Sequence, residues 1–198
     1  MTRRPLLIPG LFVALAGCSS SPQRTAPPKP PEPVTGLHAL YGMYAQARSW
    51  APDLQVVTCQ SIDISQVPSQ PGKAPAWQAV FVSPSLGRKR AYTYSVFDAS
   101  TSLRKGIFPD SPTAMGSDTR SFVPAGARID TDQAWETALK HGEEYAKKNP
   151  SMPVTYTLEL NRLTNSPAWR VIWGEDVAAS RFSVLIDSAT GEYLQTLH

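Results

Sequence analysis

Pro167-Ala168-Trp169-Arg170-Val171-Ile172-Trp173 decides how the folded part of this 198-residue chain is read. Trp169, Val171 and Trp173 share one face of an extended strand, because side chains alternate across a strand with a period of two. The run has an earlier echo, Pro75-Ala76-Trp77-Gln78-Ala79-Val80-Phe81. Downstream, Ser95-Val96-Phe97-Asp98-Ala99-Ser100-Thr101 is echoed by Val184-Leu185-Ile186-Asp187-Ser188-Ala189-Thr190. Upstream, Pro52 and Pro150 each precede an alternating strand. The three segments keep one order in both halves, which reads as an internal repeat.

The second copy is the clearer one. Asp130 can cap a helix, with Gln133 at the capping-box position. Trp135, Ala138, Leu139, Tyr145 and Ala146 recur at helical spacing, and Asn149-Pro150 ends the helix. Glu143–Lys147 and Glu144–Lys148 are favourable pairs one turn apart. Val154, Tyr156, Leu158 and Leu160 alternate with polar residues in a first strand. Strands containing Trp169 and Phe182 follow. Asp187-Ser188-Ala189-Thr190-Gly191 is a turn into a fourth strand, Glu192 to Leu197. The first copy repeats this loosely: a helix over 40–50, then strands over 54–62, 78–82, 91–97 and 103–108. The expected fold is therefore α+β, two similar units, each one helix packed on a four-stranded antiparallel sheet. A unit of about 70 residues buries only a modest core, so the two are expected to pack together.

On these residues, namely the helix, Pro167 to Val171, and Ser183 to Asp187 through Thr190-Gly191-Glu192, the second unit resembles a PepSY domain. The resemblance covers residues 129–198, and the first unit, 37–109, resembles a degenerate copy with Ser102 where Gly191 stands. Residues 110–128 between them read as a linker rich in Pro, Gly, Ser and Asp. The resemblance implies a domain of secreted-peptidase propeptides and envelope proteins that binds or restrains peptidases. It brings no catalytic residues with it.

The N-terminal residues read as an address. Arg3 and Arg4 precede a short apolar stretch, Leu6 to Ala14, broken by Pro9 and Gly10 and too short to span a bilayer. Leu15-Ala16-Gly17-Cys18 follows and resembles the lipobox of bacterial lipoproteins. The resemblance implies that residues 1–17 are a signal peptide recognised through Leu15, Ala16 and Gly17. Cys18 then becomes the lipidated N-terminus, anchoring the protein to a membrane of the cell envelope. Ser19 stands where that family's inner-membrane retention signal is acidic, which favours the outer membrane facing the periplasm in a Gram-negative host. Residues 18–36 read as a tether, and Pro27 to Pro33 favour extended polyproline II.

Charge narrows the partners. The chain carries 19 Lys and Arg against 16 Asp and Glu, net +3. Residues 1–17 hold Arg3 and Arg4 and no acid, which leaves the remainder at +1 and gives no electrostatic case for nucleic acid. His38, His141 and His198 have no metal-ligand spacing with each other or with Cys59, so no metal and no cofactor is expected. Cys59 reads as a small buried hydrophobe. Asp130 is assigned to a cap and Asp187 to a turn rather than to acid–base chemistry, and no catalytic motif stands out. Trp77, Trp169 and Trp173 read as core, with a peptide- or carbohydrate-lining groove as the alternative. Arg88-Lys89-Arg90 reads as a solvated hairpin loop, with an acidic partner as the alternative. The function expected is an envelope-anchored, non-enzymatic protein-binding module, with peptidase restraint as a special case. The alternative is a structural or assembly lipoprotein.

Overall fold

The computed structural model describes residues 30–198. In chain order these form β1 (Val34–Thr35), α1 (Gly36–Ala47), β2 (Gln55–Ile62), β3 (Lys73–Ala74), β4 (Ala76–Ser83), β5 (Arg88–Ser95), β6 (Gly106–Pro109) and β7 (Thr113–Ala114). A short 3-10 turn (Pro124–Gly126) follows, then α2 (Thr131–Lys148), β8 (Val154–Leu160), β9 (Pro167–Trp173), β10 (Phe182–Asp187) and β11 (Tyr193–Leu197). The class is α+β, as expected. Among the described residues no helix is long and apolar enough to cross a membrane.

The sheet arrangement differs from the expectation. β1 and β3 pair as a small two-stranded sheet, and the other nine strands form one antiparallel sheet, in the order β11-β10-β9-β8-β2-β4-β5-β6 with β7 also on β5. The two expected four-stranded sheets are not separate, because β2 and β8 pair directly. Thr58 faces Glu159, Cys59 faces Leu158 and Gln60 faces Thr157. A four-stranded sheet leaves unpaired backbone groups at both edges, and joining two inner edges satisfies them. Where β8 ends, Phe122 takes over the same side of β2. Its N–H and carbonyl exchange hydrogen bonds with Val56 at 2.9 and 2.8 Å. Residues 110–128 thus contribute β7 and Phe122 to the sheet.

α2 forms as its sequence dictates. Thr131 N–H donates to Asp130 Oδ1 at 2.7 Å, and Asp130 N–H donates to Gln133 Oε1 at 3.4 Å. The exposed Lys147–Glu143 pair closes at 2.6 Å. α1 begins at Gly36 rather than Leu40 and has no side-chain cap from its own N-cap, Thr35. Its first two N–H groups are satisfied from the start of α2 instead. Gly36 N–H donates to Thr131 Oγ1 and Leu37 N–H to Asp130 Oδ1, both at 2.8 Å.

Both helices cover the same face of the sheet. Beneath them lie Trp77, Phe81, Trp169, Trp173, Val184 and Ile186, none more than 1% exposed. Trp77 and Trp169 meet edge to face with centroids 6.1 Å apart. Two glycines permit the close approach. A Cβ on Gly36 would lie 2.5 Å from Trp169 Cη2, and one on Gly142 would lie 2.9 Å from Phe182 Cε1. Burying an indole of about 200 Å² at about 25 cal/mol per Å² favours folding by about 5 kcal/mol. A helix cap contributes about 1 kcal/mol. The tryptophans therefore outweigh the caps in setting where the helices sit.

Candidate functional site

The face of the sheet without helices carries an open cavity, a trough of roughly 640 Å³. Strand alternation builds it. With Trp77, Phe81, Leu158, Trp169 and Val184 turned toward the helices, Val80, Glu159, Ala168, Arg170 and Leu185 turn the other way. Register then sets them side by side. Val80 faces Thr58, Thr58 faces Glu159, Glu159 faces Ala168, and Arg170 faces Leu185. The trough runs on across β11 at Gln195 and Leu197.

Two loops raise its walls, one carrying Asp118, Thr119 and Arg120, the other Asn161, Arg162 and Leu163. They are tied together, since Arg120 Nη2 donates to Asn165 Oδ1 at 3.0 Å. Asn161 Oδ1 accepts from Leu163 N–H at 2.7 Å and Thr164 N–H at 3.3 Å, which shapes the second loop as an Asx-type turn. Asn165 closes it at φ 51°, a conformation asparagine tolerates better than most residues. Leu163 stands at the rim, 83% exposed.

The electrostatics are one-sided. Lys89, Arg120, Arg162 and Arg170 line the trough against two carboxylates, Asp118 and Glu159. Among the described residues none of these four cations has a carboxylate within 4.0 Å, the ion pairs there being Lys147–Glu143 and Lys148–Glu144 on α2. Arg170 is oriented by its Nε donating to Ser183 Oγ at 2.9 Å. The arrangement can hold carboxylates over an apolar floor of Val57, Val80, Ala168 and Leu185.

The residues singled out in the sequence scatter. Leu15, Ala16, Gly17 and Cys18 lie outside the described residues. The tryptophans line no groove: Trp77 Nε1 donates to Val34 O at 3.1 Å and Trp169 Nε1 to Ile129 O at 2.8 Å within the core. In the basic triplet, Arg88 Nη2 is used on Pro112 O at 2.9 Å and Arg90 Nε on Asp110 O at 2.6 Å, and only Lys89 lines the trough. Asp187 accepts from Ala189 N–H at 2.8 Å and Thr190 N–H at 3.0 Å, as a turn residue does.

The histidines make separate aromatic contacts: His38 with Tyr94, His141 with Tyr193, His198 with Phe182. Among the described residues no three His, Cys, Asp or Glu side chains come together in a metal-binding group. Cys59 is fully buried, which pushes its thiol well above the usual range. Arg120, Arg162 and Arg170 were not singled out in sequence. Strand alternation marks Arg170 as facing away from the core, but nothing local brings it to Arg120 and Lys89.

Comparison with known proteins finds no family model, no curated protein and no solved structure that matches this chain.

Proposed function

We propose that this chain is a non-enzymatic lipoprotein of the cell envelope, anchored through lipid on Cys18, whose folded body binds a protein partner in the trough. The observation that carries the reading is the trough itself. One face of a nine-stranded sheet is packed by both helices, while the other carries a roughly 640 Å³ cavity lined by four cations without ion partners among the described residues. A proline-rich tether after Cys18 gives such a body reach toward a partner. Restraint of a peptidase is the special case, and it rests on the resemblance of residues 129–198 to a PepSY domain.

The same proposal takes residues 37–109 and 129–198 as two copies of one unit, fused through their first strands. Two details support the duplication. Each copy's tryptophan, Trp77 or Trp169, donates to a carbonyl two residues before its own helix, Val34 or Ile129. Strand order also mirrors about the β2–β8 junction.

The test is affinity capture from envelope extract with the full chain in detergent, beside a variant carrying Lys89→Glu and Arg162→Glu. A stoichiometric protein captured by the parent and lost by the variant supports the reading. A partner held equally by both would move the binding site off the trough. Slowing of that partner's activity, if it is a peptidase, tests the special case.

A further inference from the structure

We infer that the trough takes an extended, acidic segment of its protein partner, laid across the strands with carboxylates on every second residue, so that they share the face turned into the trough. This rests on the proposal above that the trough is a protein-binding site, and it names the chemistry of what enters. From Lys89 on β5 to Gln195 on β11 the trough crosses seven strands. At about 4.8 Å between neighbours this is about 29 Å, the length of about eight or nine extended residues.

The distribution of groups fits such a chain. Cations come from separate elements: Lys89 from β5, Arg120 from the loop before α2, Arg162 from the loop after β8, and Arg170 from β9. They are spread along the trough rather than gathered at one point, so they match a row of carboxylates better than a single phosphate. Val57 and Val80 lie among them, with Leu185 and Leu197 beyond Arg170 on β10 and β11, and offer contact to the apolar stems of acidic side chains. A uronate polymer presents carboxylates without those side chains. Arg170 is held ready by Ser183 at 2.9 Å and Arg120 by Asn165 at 3.0 Å, so part of the ordering cost of binding is met in the folded protein. The trough's own carboxylates, Asp118 and Glu159, oppose an acidic ligand locally and space its carboxylates apart, while the balance remains cationic.

The experiment is fluorescence anisotropy of three labelled octapeptides, (Glu-Val)4, (Gln-Val)4 and (Lys-Val)4, titrated with the full chain in neutral detergent. The parent is expected to bind (Glu-Val)4 at least about tenfold more tightly than the others, with affinity falling as salt rises. Lys89→Glu and Arg162→Glu together are expected to remove that preference. Neither side chain makes a hydrogen bond or ion pair within the described fold, so the variant is expected to keep its structure.

Equal binding of (Gln-Val)4 would overturn the acidic preference and leave the trough as a peptide site. Binding of none of the three would overturn the trough as a peptide site altogether. Displacement of (Glu-Val)4 by polygalacturonate at equal carboxylate concentration would overturn the peptide in favour of a polyanion.

Discussion

The Asp130 carboxylate and the Leu37 N–H stand 93 positions apart in the chain and meet at 2.8 Å. The same Oδ1 accepts from Thr131 N–H at 2.7 Å. One carboxylate therefore caps α2 locally and α1 across the fold, where the positive ends of two helix dipoles converge. Asp130→Ala is expected to cost about 2–3 kcal/mol, more than the roughly 1 kcal/mol of a single cap. Gln133→Ala, which loses only the 3.4 Å reciprocal contact, is expected to cost about 0.5 kcal/mol. Urea denaturation of the two variants decides it. Equal costs would mean that the tertiary cap contributes nothing.

Trp77 and Trp169 are expected to respond alike to one substitution. Each is fully buried and each indole N–H has a single backbone acceptor. Trp→Phe at either position removes that donor, strands a carbonyl, and leaves a partial void, at about 2–4 kcal/mol. Denaturation midpoints of Trp77→Phe and Trp169→Phe check this. A loss at one position and none at the other would argue against equivalent roles in the two halves.

Asp53 provides a pH signature. Ser83 Oγ donates to Asp53 Oδ1, and Ser85 N–H donates to Oδ2 at 2.8 Å. These bonds, the Ser83 hydroxyl first, hold its carboxyl below the ordinary carboxylate range. A carboxyl lowered in the folded state stabilises the fold above its unfolded value near 4, and that contribution is lost as pH falls through the lower folded value. Thermal midpoints measured from pH 6 down to pH 2 are expected to fall less steeply for Asp53→Asn than for the parent. Parallel curves would mean that solvent already screens the contact.

The two cysteines are expected to behave oppositely. Cys59 is fully buried, and burial, with the nearby negative charge of Asp130 second, raises its thiol. It should resist iodoacetamide at pH 8 in the native protein and react once urea unfolds it. Cys18 should instead be occupied by lipid, with palmitate label incorporated in cells and lost in Cys18→Ser. Peptide mapping after alkylation reads both. Native labelling of Cys59 would mean that the core opens locally, and a palmitate-free Cys18 would remove the anchor from the proposed function.

Much of the fold was legible because short-range rules govern it. The Asp130–Gln133 box starts α2, Asn149-Pro150 follows its last turn, and the alternation around Trp169 turns Trp169, Val171 and Trp173 inward. The early start of α1 was not legible, since its caps, Thr131 and Asp130, lie about 95 residues away. Alternation predicts a strand over 91–97, but the strand stops at Ser95, whose Oγ turns the chain by accepting from Phe97 N–H at 3.2 Å and donating to its carbonyl at 2.7 Å. β5 accordingly runs Arg88–Ser95 and takes the basic triplet out of the hairpin loop.

By itself, the sequence determined which residues turn inward, where α2 begins and ends, and that helix and strand coexist in an α+β plan. Those properties follow from side-chain periodicity and from hydrogen bonds between near neighbours. Only the tertiary structure decided that the strands merge into one sheet through β2 and β8, and that Lys89, Arg120, Arg162 and Arg170 share one trough. Pairing two strand edges about 100 residues apart depends on which edges are left unsatisfied once every hairpin has closed. No local pattern encodes that.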